Sequence, residues 1–317
     1  MYRLDQSPFL ERLSCAKRVL LAGAGGGFDV YSALPLFKLL RDQGRHVSLA
    51  NASFTSLGEV SGRRVTPHCV EVTAESDGPA RYFPEGLLTH FLAAQDLSCP
   101  VYAFEKTGAV PLLASYRALQ EELQFDCVVL VDGGTDILMR GDEAGLGTPQ
   151  EDVTSLAAVS QLQGVDKLVC CLGFGIDRFH GVCHAQFLRN VAALSQTGGY
   201  LGTLALLPQM AEAQLLAEAI AFSNERMPGA PSIVGNSIAS AIEGEYGDVH
   251  RTHRTAGSKL WINPLMSLYW AFDLSQVAAR CLYLDAVKLS HSIWDVNVIV
   301  EAFRKDTEQL QWEDIPV

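Results

Sequence analysis

Largely apolar runs alternate with amphipathic stretches over the first two-thirds of the chain. The runs at 18–22, 46–50, 101–104, 127–131, 167–172 and 200–207 are continuously apolar instead of alternating. That is the pattern of strands covered on both faces in a parallel sheet. Helical periodicity fills the intervals at 30–43, 86–95, 109–123, 152–161, 183–195 and 210–226; in the first of these Val30, Leu34, Phe37 and Leu40 share one face. Strand–helix alternation of this kind predicts a doubly wound, mostly parallel α/β fold, Rossmann-like, whose ligands gather at the carboxyl ends of the strands.

The rhythm changes after about residue 230. Segment 232–237, SIVGNS, reads as a short strand and turn, and 243–255 is mixed and polar. Segment 265–289, with Leu268, Phe272, Val277, Cys281 and Leu284 at near-helical spacing, reads as one long helix. No Pro/Ser-rich linker and no internal repeat divides the chain. The expectation is a single α/β domain spanning 1–317, with a Rossmann-like core over 1–230 and a helical C-terminal elaboration over 231–317. The apolar C-terminal helix, with Trp261, Trp270 and Trp294 nearby, offers a surface for a homodimer.

Composition narrows the function classes. The chain has 317 residues, 48% of them hydrophobic, enough for a large core. No run approaches the roughly 20 apolar residues of a membrane span, and the N-terminal MYRLDQ lacks a charged-then-apolar signal pattern. A cytoplasmic protein with no membrane partner is therefore expected. A net charge of −12 argues against nucleic-acid binding, which depends on Lys and Arg neutralising phosphates. It leaves room for a small anionic substrate, which needs only a local positive site. The 8 cysteines form no C-x-x-C pair, as expected of reduced thiols in a core. Cys183, beside His184, is the one candidate nucleophile among them, and the buried-thiol reading outweighs it.

The first chemical signal is segment 18–29, RVLLAGAGGGFD. A strand empties into Gly23, Gly25, Gly26 and Gly27, and a helix follows. Such a turn aims backbone N–H groups and a positive helix end at an anion. It departs from the dinucleotide fingerprint, because Phe28 stands at the third glycine and the next strand ends in Asn51 where a ribose-binding acid is expected. The P-loop lysine and hydroxyl are absent as well. Asp29 is out of place beside a phosphate-binding turn; it caps the helix, or it orients a hydroxyl, an amine or a metal.

The second signal is segment 129–143, VLVDGGTDILMRGDE. A strand ends in Asp132, the Gly133–Gly134 turn follows, and Asp136, Asp142 and Glu143 arrive soon after. Converging carboxylates raise one another's pKa unless a cation compensates. A hard cation such as Mg²⁺ on some of Asp132, Asp136, Asp142 and Glu143 is one solution, and acceptance of substrate hydroxyls by Asp132 and Asp136 is another. A structural reading, with Asp132 capping a helix start, also stands. The loop 145–152, GLGTPQED, then enters a helix with Thr148 as its cap and Pro149 at its first position, placed to act as a lid.

Two further clusters follow. In 173–184, GFGIDRFHGVCH, His180 or His184 is a candidate acid/base oriented by Asp177. Their i, i+4 spacing lacks the glutamate of H-E-x-x-H, so zinc is not favoured. In 250–254, HRTHR, Arg251 and Arg254 make the most positive spot on an acidic chain and are candidate anion ligands, unless they balance Glu243, Glu245 and Asp248.

The glycine turn with Asp29, the Asp132–Glu143 motif and the 147–152 loop, in combination, resemble the DUF1152 family of proteins of unknown function. The resemblance is clearest in the N-terminal half. It implies a Rossmann-like fold and no particular reaction. From the residues, the leading expectation is a cytoplasmic enzyme that hydrolyses, or transfers a group on, a small phosphate- or nucleotide-bearing metabolite. In that expectation Gly23 to Gly27 hold the anion, Asp132 and Asp136 bind hydroxyls or a divalent cation, and His180 or His184 serves as acid/base. The alternatives are a non-catalytic nucleotide-binding sensor and an NAD(P)-dependent oxidoreductase. Gly25, Asp29, Asp132, Gly134, Asp136 and at least one of His180 and His184 are expected to line a single cavity.

Overall fold

Neighbouring residues of each central strand belong to opposite faces of one sheet, and both faces are covered. Val19 and Leu21 enter one core while Leu20 and Ala22 enter the other; Val129 and Val131 part from Val128 and Leu130 in the same way. This is why the strands read as unbroken apolar runs. The structure, a computed structural model, describes residues 3–258 and 260–315.

The strands are β1 (Arg18–Gly23), β2 (His46–Ala52), β3 (Arg63–Thr66), β4 (Cys69–Val72), β5 (Val101–Phe104) and β6 (Cys127–Asp132). They continue with β7 (Asp166–Cys171), β8 (Tyr200–Ala205), the short pair β9 (Gly247–Asp248) and β10 (Trp261–Ile262), and β11 (Leu268–Asp273). The main sheet has 9 strands in the order β3-β4-β5-β2-β1-β6-β7-β11-β8. Strands β5, β2, β1, β6 and β7 are parallel, while β4 and β11 each run antiparallel to their neighbours. From β1 the chain first winds outward through β2 and β5, then returns to the other side of β1 with β6 and β7. The strand order therefore reverses between β1 and β6, and the crevice of a doubly wound sheet opens at that point.

Helices α1 (Pro8–Cys15), α2 (Asp29–Ser32), α3 (Leu34–Asp42), α4 (Pro84–Ala94), α5 (Ala109–Leu123) and α6 (Pro149–Ser160) fall in the first half. The second half holds α7 (His184–Thr197), α8 (Ala211–Arg226), α9 (Ile233–Ile242), α10 (Leu274–Arg280), α11 (Leu284–Val287) and α12 (Ile293–Asp306). Helices α1, α3, α4, α8 and α9 cover one face; α5, α6, α7, α10, α11 and α12 cover the other. Among the described residues no helix is long and apolar enough to cross a membrane.

The fold class expected from the pattern is the one observed, and two local expectations are corrected. Segment 232–237 is not a strand. Ser232 accepts a hydrogen bond from the Gly235 N–H at 2.9 Å and starts α9, which runs through Ile242. A cap of this kind is worth about 1 kcal/mol, and it decides a segment whose Ile-Val pair looks extended. Segment 265–289 is not one helix. Residues 268–273, LYWAFD, form β11, inserted antiparallel between β7 and β8. Tyr269, Trp270 and Phe272 suit a pleated, two-sided environment, and Asp273 then caps α10 by accepting from the Gln276 N–H at 2.9 Å. Leu268 and Phe272 are four apart by coincidence with helical spacing. The strand brings residues beyond 230 into the core sheet, between β7 and the edge strand β8. It also buries Trp270 against Phe174, Phe187 and Tyr200, so that this tryptophan is no part of a dimer surface. Trp261 and Trp294 remain exposed.

Candidate functional site

The loops after β1, β6 and β7, with the start of α6, meet in a cleft of about 910 Å³ at the carboxyl edge of the sheet. The cleft lies at the reversal of strand order, between neighbouring strands β1 and β6.

The glycine turn forms its first wall. Gly26 and Gly27 take φ of +95° and +64°, which side-chain-bearing residues rarely adopt. The turn does not present a free anion-binding nest. Asp29, the first residue of α2, folds its carboxylate back and accepts from the Gly25 N–H at 2.6 Å. The protein thus places its own carboxylate where a phosphate is expected, and the assignment of the anion to Gly23, Gly25, Gly26 and Gly27 is corrected on that ground. Asp29 does not cap its helix through its side chain.

Asp132 ends β6, and its carboxylate accepts from the Ile137 N–H at 3.3 Å, a long contact that leaves most of its lone pairs free. Asp136 accepts from the Thr148 N–H at 2.8 Å and from the Thr148 hydroxyl at 3.2 Å. That pair of bonds fixes the 145–152 loop as a wall of the cleft, in place of a free lid, and uses the Thr148 hydroxyl that the sequence assigned to capping α6. Asp177 accepts from the Thr135 N–H at 2.6 Å and the Thr135 hydroxyl at 3.3 Å, so it orients neither histidine. Asp152, in the first turn of α6, is 2% exposed, and its Oδ1 has no hydrogen-bond partner.

Asp29, Asp132, Asp136, Asp152 and Asp177 are buried together. Burial is the first cause that raises the pKa of each, and mutual repulsion adds to it; the Asp29 carboxyl is pushed up to about 8, and Asp132, Asp152 and Asp177 well above the usual carboxylate range. Asp136 moves in the same direction, less so because the Thr148 bonds and the nearby His180 favour its ionised form. Carboxylates with shifts of this origin, gathered in a cleft, mark a candidate functional site.

The mouth of the cleft carries positive side chains. Arg81, Lys106 and Arg254 are exposed and line it, as does the exposed His180. Lys106 pairs with Glu151 at 2.9 Å and lies 3.7 Å above the Phe54 ring. Arg254 donates to the Pro231 carbonyl at 3.0 Å. Two aromatic rings, Phe54 at 45% and Phe179 at 71% exposure, also face the cleft.

Of the residues singled out from sequence, Gly25, Gly26, Gly27, Asp29, Asp132, Gly133, Asp136, His180 and Arg254 line the cleft. Gly23 lies inside β1, beside Asn51. Gly134 stands behind the wall, where an added Cβ would lie 2.7 Å from Asp177 Oδ2. His184 begins α7 and packs on Phe174, its pKa lowered by burial. Gly181, at φ +92°, breaks the chain between the two histidines, so their i, i+4 spacing is not helical. Arg251 is tied to Glu243 and Glu245 outside the cleft. Asp142 pairs with Arg140, and buried Glu143 accepts from the N–H groups of Arg140 and Gly141 and from Asn190. Neither carboxylate reaches the cluster, so both leave the set of candidate metal ligands. Cys183 is buried and its thiol donates to the Glu313 carbonyl at 3.1 Å, off the cleft.

Sequence reasoning missed Asp152 as a site residue, leaving it as the last residue of the 145–152 loop, and missed Arg81 and Lys106 altogether. Asp177 was read as an orienter of histidine. Nothing local distinguishes these residues; only the strand order brings them together. At the end of β2, Asn51 donates its amide to the Gly27 carbonyl at 2.8 Å and to Glu85 at 2.8 Å. The Asn51 Oδ1 is left buried without a hydrogen-bond partner, and Asn51 itself brings no carboxylate to the ribose position of a dinucleotide site.

Fold and cleft together define a doubly wound α/β protein with a carboxylate-lined crevice at its topological switch point. The chain belongs to the DUF1152 family, proteins of unknown function, whose family model matches residues 20–314. No curated protein sequence matches it.

Proposed function

We propose that this protein is an enzyme that catalyses hydrolysis or group transfer on a small phosphate- or nucleotide-bearing metabolite. The observation that carries the reading is the polarity of one cleft: buried carboxylates at its floor and exposed cations at its mouth. A metabolite with hydroxyls at one end and an anion at the other is complementary to both. The anion goes to Arg81, Lys106 and Arg254 at the mouth, where guanidinium and ammonium groups bind phosphate oxygens. Hydroxyls go to the floor, where Asp132 and Asp136 accept them. Phe179, the more exposed of the two rings that line the cleft, offers a nucleobase an aromatic surface, which favours the nucleotide end of the substrate class. In this reading His180, on the 3₁₀ turn Ile176–His180 and lining the same cleft, moves a proton at the reacting bond.

The test separates catalysis from binding alone. A thermal-shift panel of nucleotides and sugar phosphates identifies a ligand, and its conversion is followed by product analysis. His180→Ala is expected to lower kcat by about 10²-fold or more with the ligand's thermal shift retained, whereas His184→Ala leaves both unchanged. A ligand that binds and is never converted, with His180→Ala indistinguishable from wild type, would make the chain a nucleotide-binding sensor instead.

A further inference from the structure

The carboxylates at the floor of the cleft are not equivalent. Asp136 and Asp177 each receive a backbone N–H and a threonine hydroxyl, as in an acceptor held in place by its own protein. Asp132 receives one long bond, and Asp152 Oδ1 is buried with none. An unpartnered carboxylate oxygen at 2% exposure is a costly feature unless something else meets it. The Asp152 carboxylate faces the cleft, beside Asp29 and Asp132. One oxygen from each of these three residues lies within 4.8 Å of the others. Hard divalent cations hold oxygen ligands at about 2.0–2.6 Å, so ligands of one ion are separated by at most about twice that, roughly 4–5 Å.

Room for an ion is set by a missing side chain. A Cβ at Gly25 would lie 2.8 and 2.9 Å from the two Asp152 oxygens and 2.9 Å from Asp29 Oδ2. The glycine turn thus leaves open the space between two of the carboxylates. No Lys or Arg among the described residues forms an ion pair with Asp29, Asp132 or Asp152; the nearest such link in the cleft is Lys106 with Glu151.

The geometry points to a divalent-cation site formed by Asp29, Asp132 and Asp152, of the Mg²⁺/Mn²⁺ class, with its remaining coordination positions open to the cleft. The ligand set differs from the one the sequence suggests: Asp132 stays, Asp29 and Asp152 enter, and Asp136, Asp142 and Glu143 leave. The glycine turn acquires a different task from phosphate binding. The Gly25 N–H holds Asp29 by its Oδ2 and orients the group toward the ion, as hydrogen-bonded carboxylate ligands are oriented in other metal sites. The site stands whether or not the cleft carries out the proposed reaction, because it rests on the ligand geometry alone.

The test uses Mn²⁺ alone as probe, without substrate, on full-length protein stripped with chelator. Calorimetry and the electron paramagnetic resonance signal of free Mn²⁺ count bound ions. Wild type is expected to bind one Mn²⁺ per chain, and Asp152→Asn and Asp29→Asn to weaken it at least tenfold. Asp142→Asn, a carboxylate off the cluster, is expected to bind as wild type does. Circular dichroism checks each fold; should Asp152→Asn not fold, Asp132→Asn takes its place in the comparison. Absence of Mn²⁺ binding at millimolar concentration, or binding that survives both Asp152→Asn and Asp29→Asn, would overturn the site. Loss of binding in Asp142→Asn equal to that in Asp152→Asn would overturn it as well.

Discussion

Asp132→Asn is expected to lose the function of the cleft and gain stability. Five carboxylates are buried together there, and like charges at close range oppose folding. Asparagine has nearly the same shape as aspartate, and its carbonyl oxygen still accepts from the Ile137 N–H. The substitution therefore removes a carboxyl whose pKa is raised on folding, a cost absent below the unfolded carboxylate range and present at higher pH, without opening a cavity or orphaning that donor. In the ligand-free protein near pH 8 the melting temperature rises; each kcal/mol relieved corresponds to about 2–4 °C in chains of about 150–250 residues and to less in this longer one. Conversion of the ligand found by the thermal-shift panel falls by at least about 10²-fold, the range of a lost acid/base or electrostatic contact. A stability gain paired with a functional loss is the signature of a site held against the preference of the fold. A drop in melting temperature with no functional change would make Asp132 a structural residue.

Phe272→Ala is expected to destabilise the protein by about 3–5 kcal/mol. Phe272 is fully buried on β11, in contact with Tyr200, and pairs through its backbone with Val169 of β7. Total stabilities run at about 5–15 kcal/mol, so such a loss leaves little margin. Urea unfolding followed by far-UV circular dichroism measures it. The magnitude distinguishes a strand paired on both sides within the sheet from a peripheral helix. If 268–273 were part of an elaboration packed on the outside of the core, truncation at 272 would cost under 1 kcal/mol or would melt a separate early transition. A single cooperative transition shifted to lower urea is the expected record.

The contrast between the legible and the illegible parts of the chain is physical. Strands at 101–104 and 127–131 were plain because both their faces are covered, so each reads as an apolar run bounded by polar turns. Segment 109–123 was equally plain, and α5 has those bounds. Strand β11 was hidden because Leu268 and Phe272 satisfy an i, i+4 pattern while strand pairing, a property of β7 and β8, decides the matter. The hairpin of β3 and β4 was missed because its edge residues Arg63 and Arg64 are exposed and polar, paired with Glu71, Glu122 and Glu105 and not with the core. In the site, Asp29 and Asp132 stood out because each adjoins a glycine turn at the end of a strand, Asp29 after the turn and Asp132 before it. Asp152 did not, since an acid in the first turn of a helix has an ordinary explanation in the helix dipole. Its environment comes from Gly25, 127 positions earlier in the chain, and no local pattern carries that information.

One measurement bears most directly on the claim that the cleft binds a small anionic metabolite between acidic floor and cationic mouth. Protein purified without added ligand is denatured, and the released small molecules are identified by mass spectrometry, for wild type and for Arg254→Ala alongside Arg251→Ala. Arg254 lines the cleft and Arg251 is held by Glu243 and Glu245, so the pair forms an internal control. A phosphate-bearing metabolite retained by wild type and Arg251→Ala, and depleted in Arg254→Ala, is the expected result. A neutral or cationic molecule in the cleft, or a phosphate-bearing one retained equally by all three proteins, would contradict it.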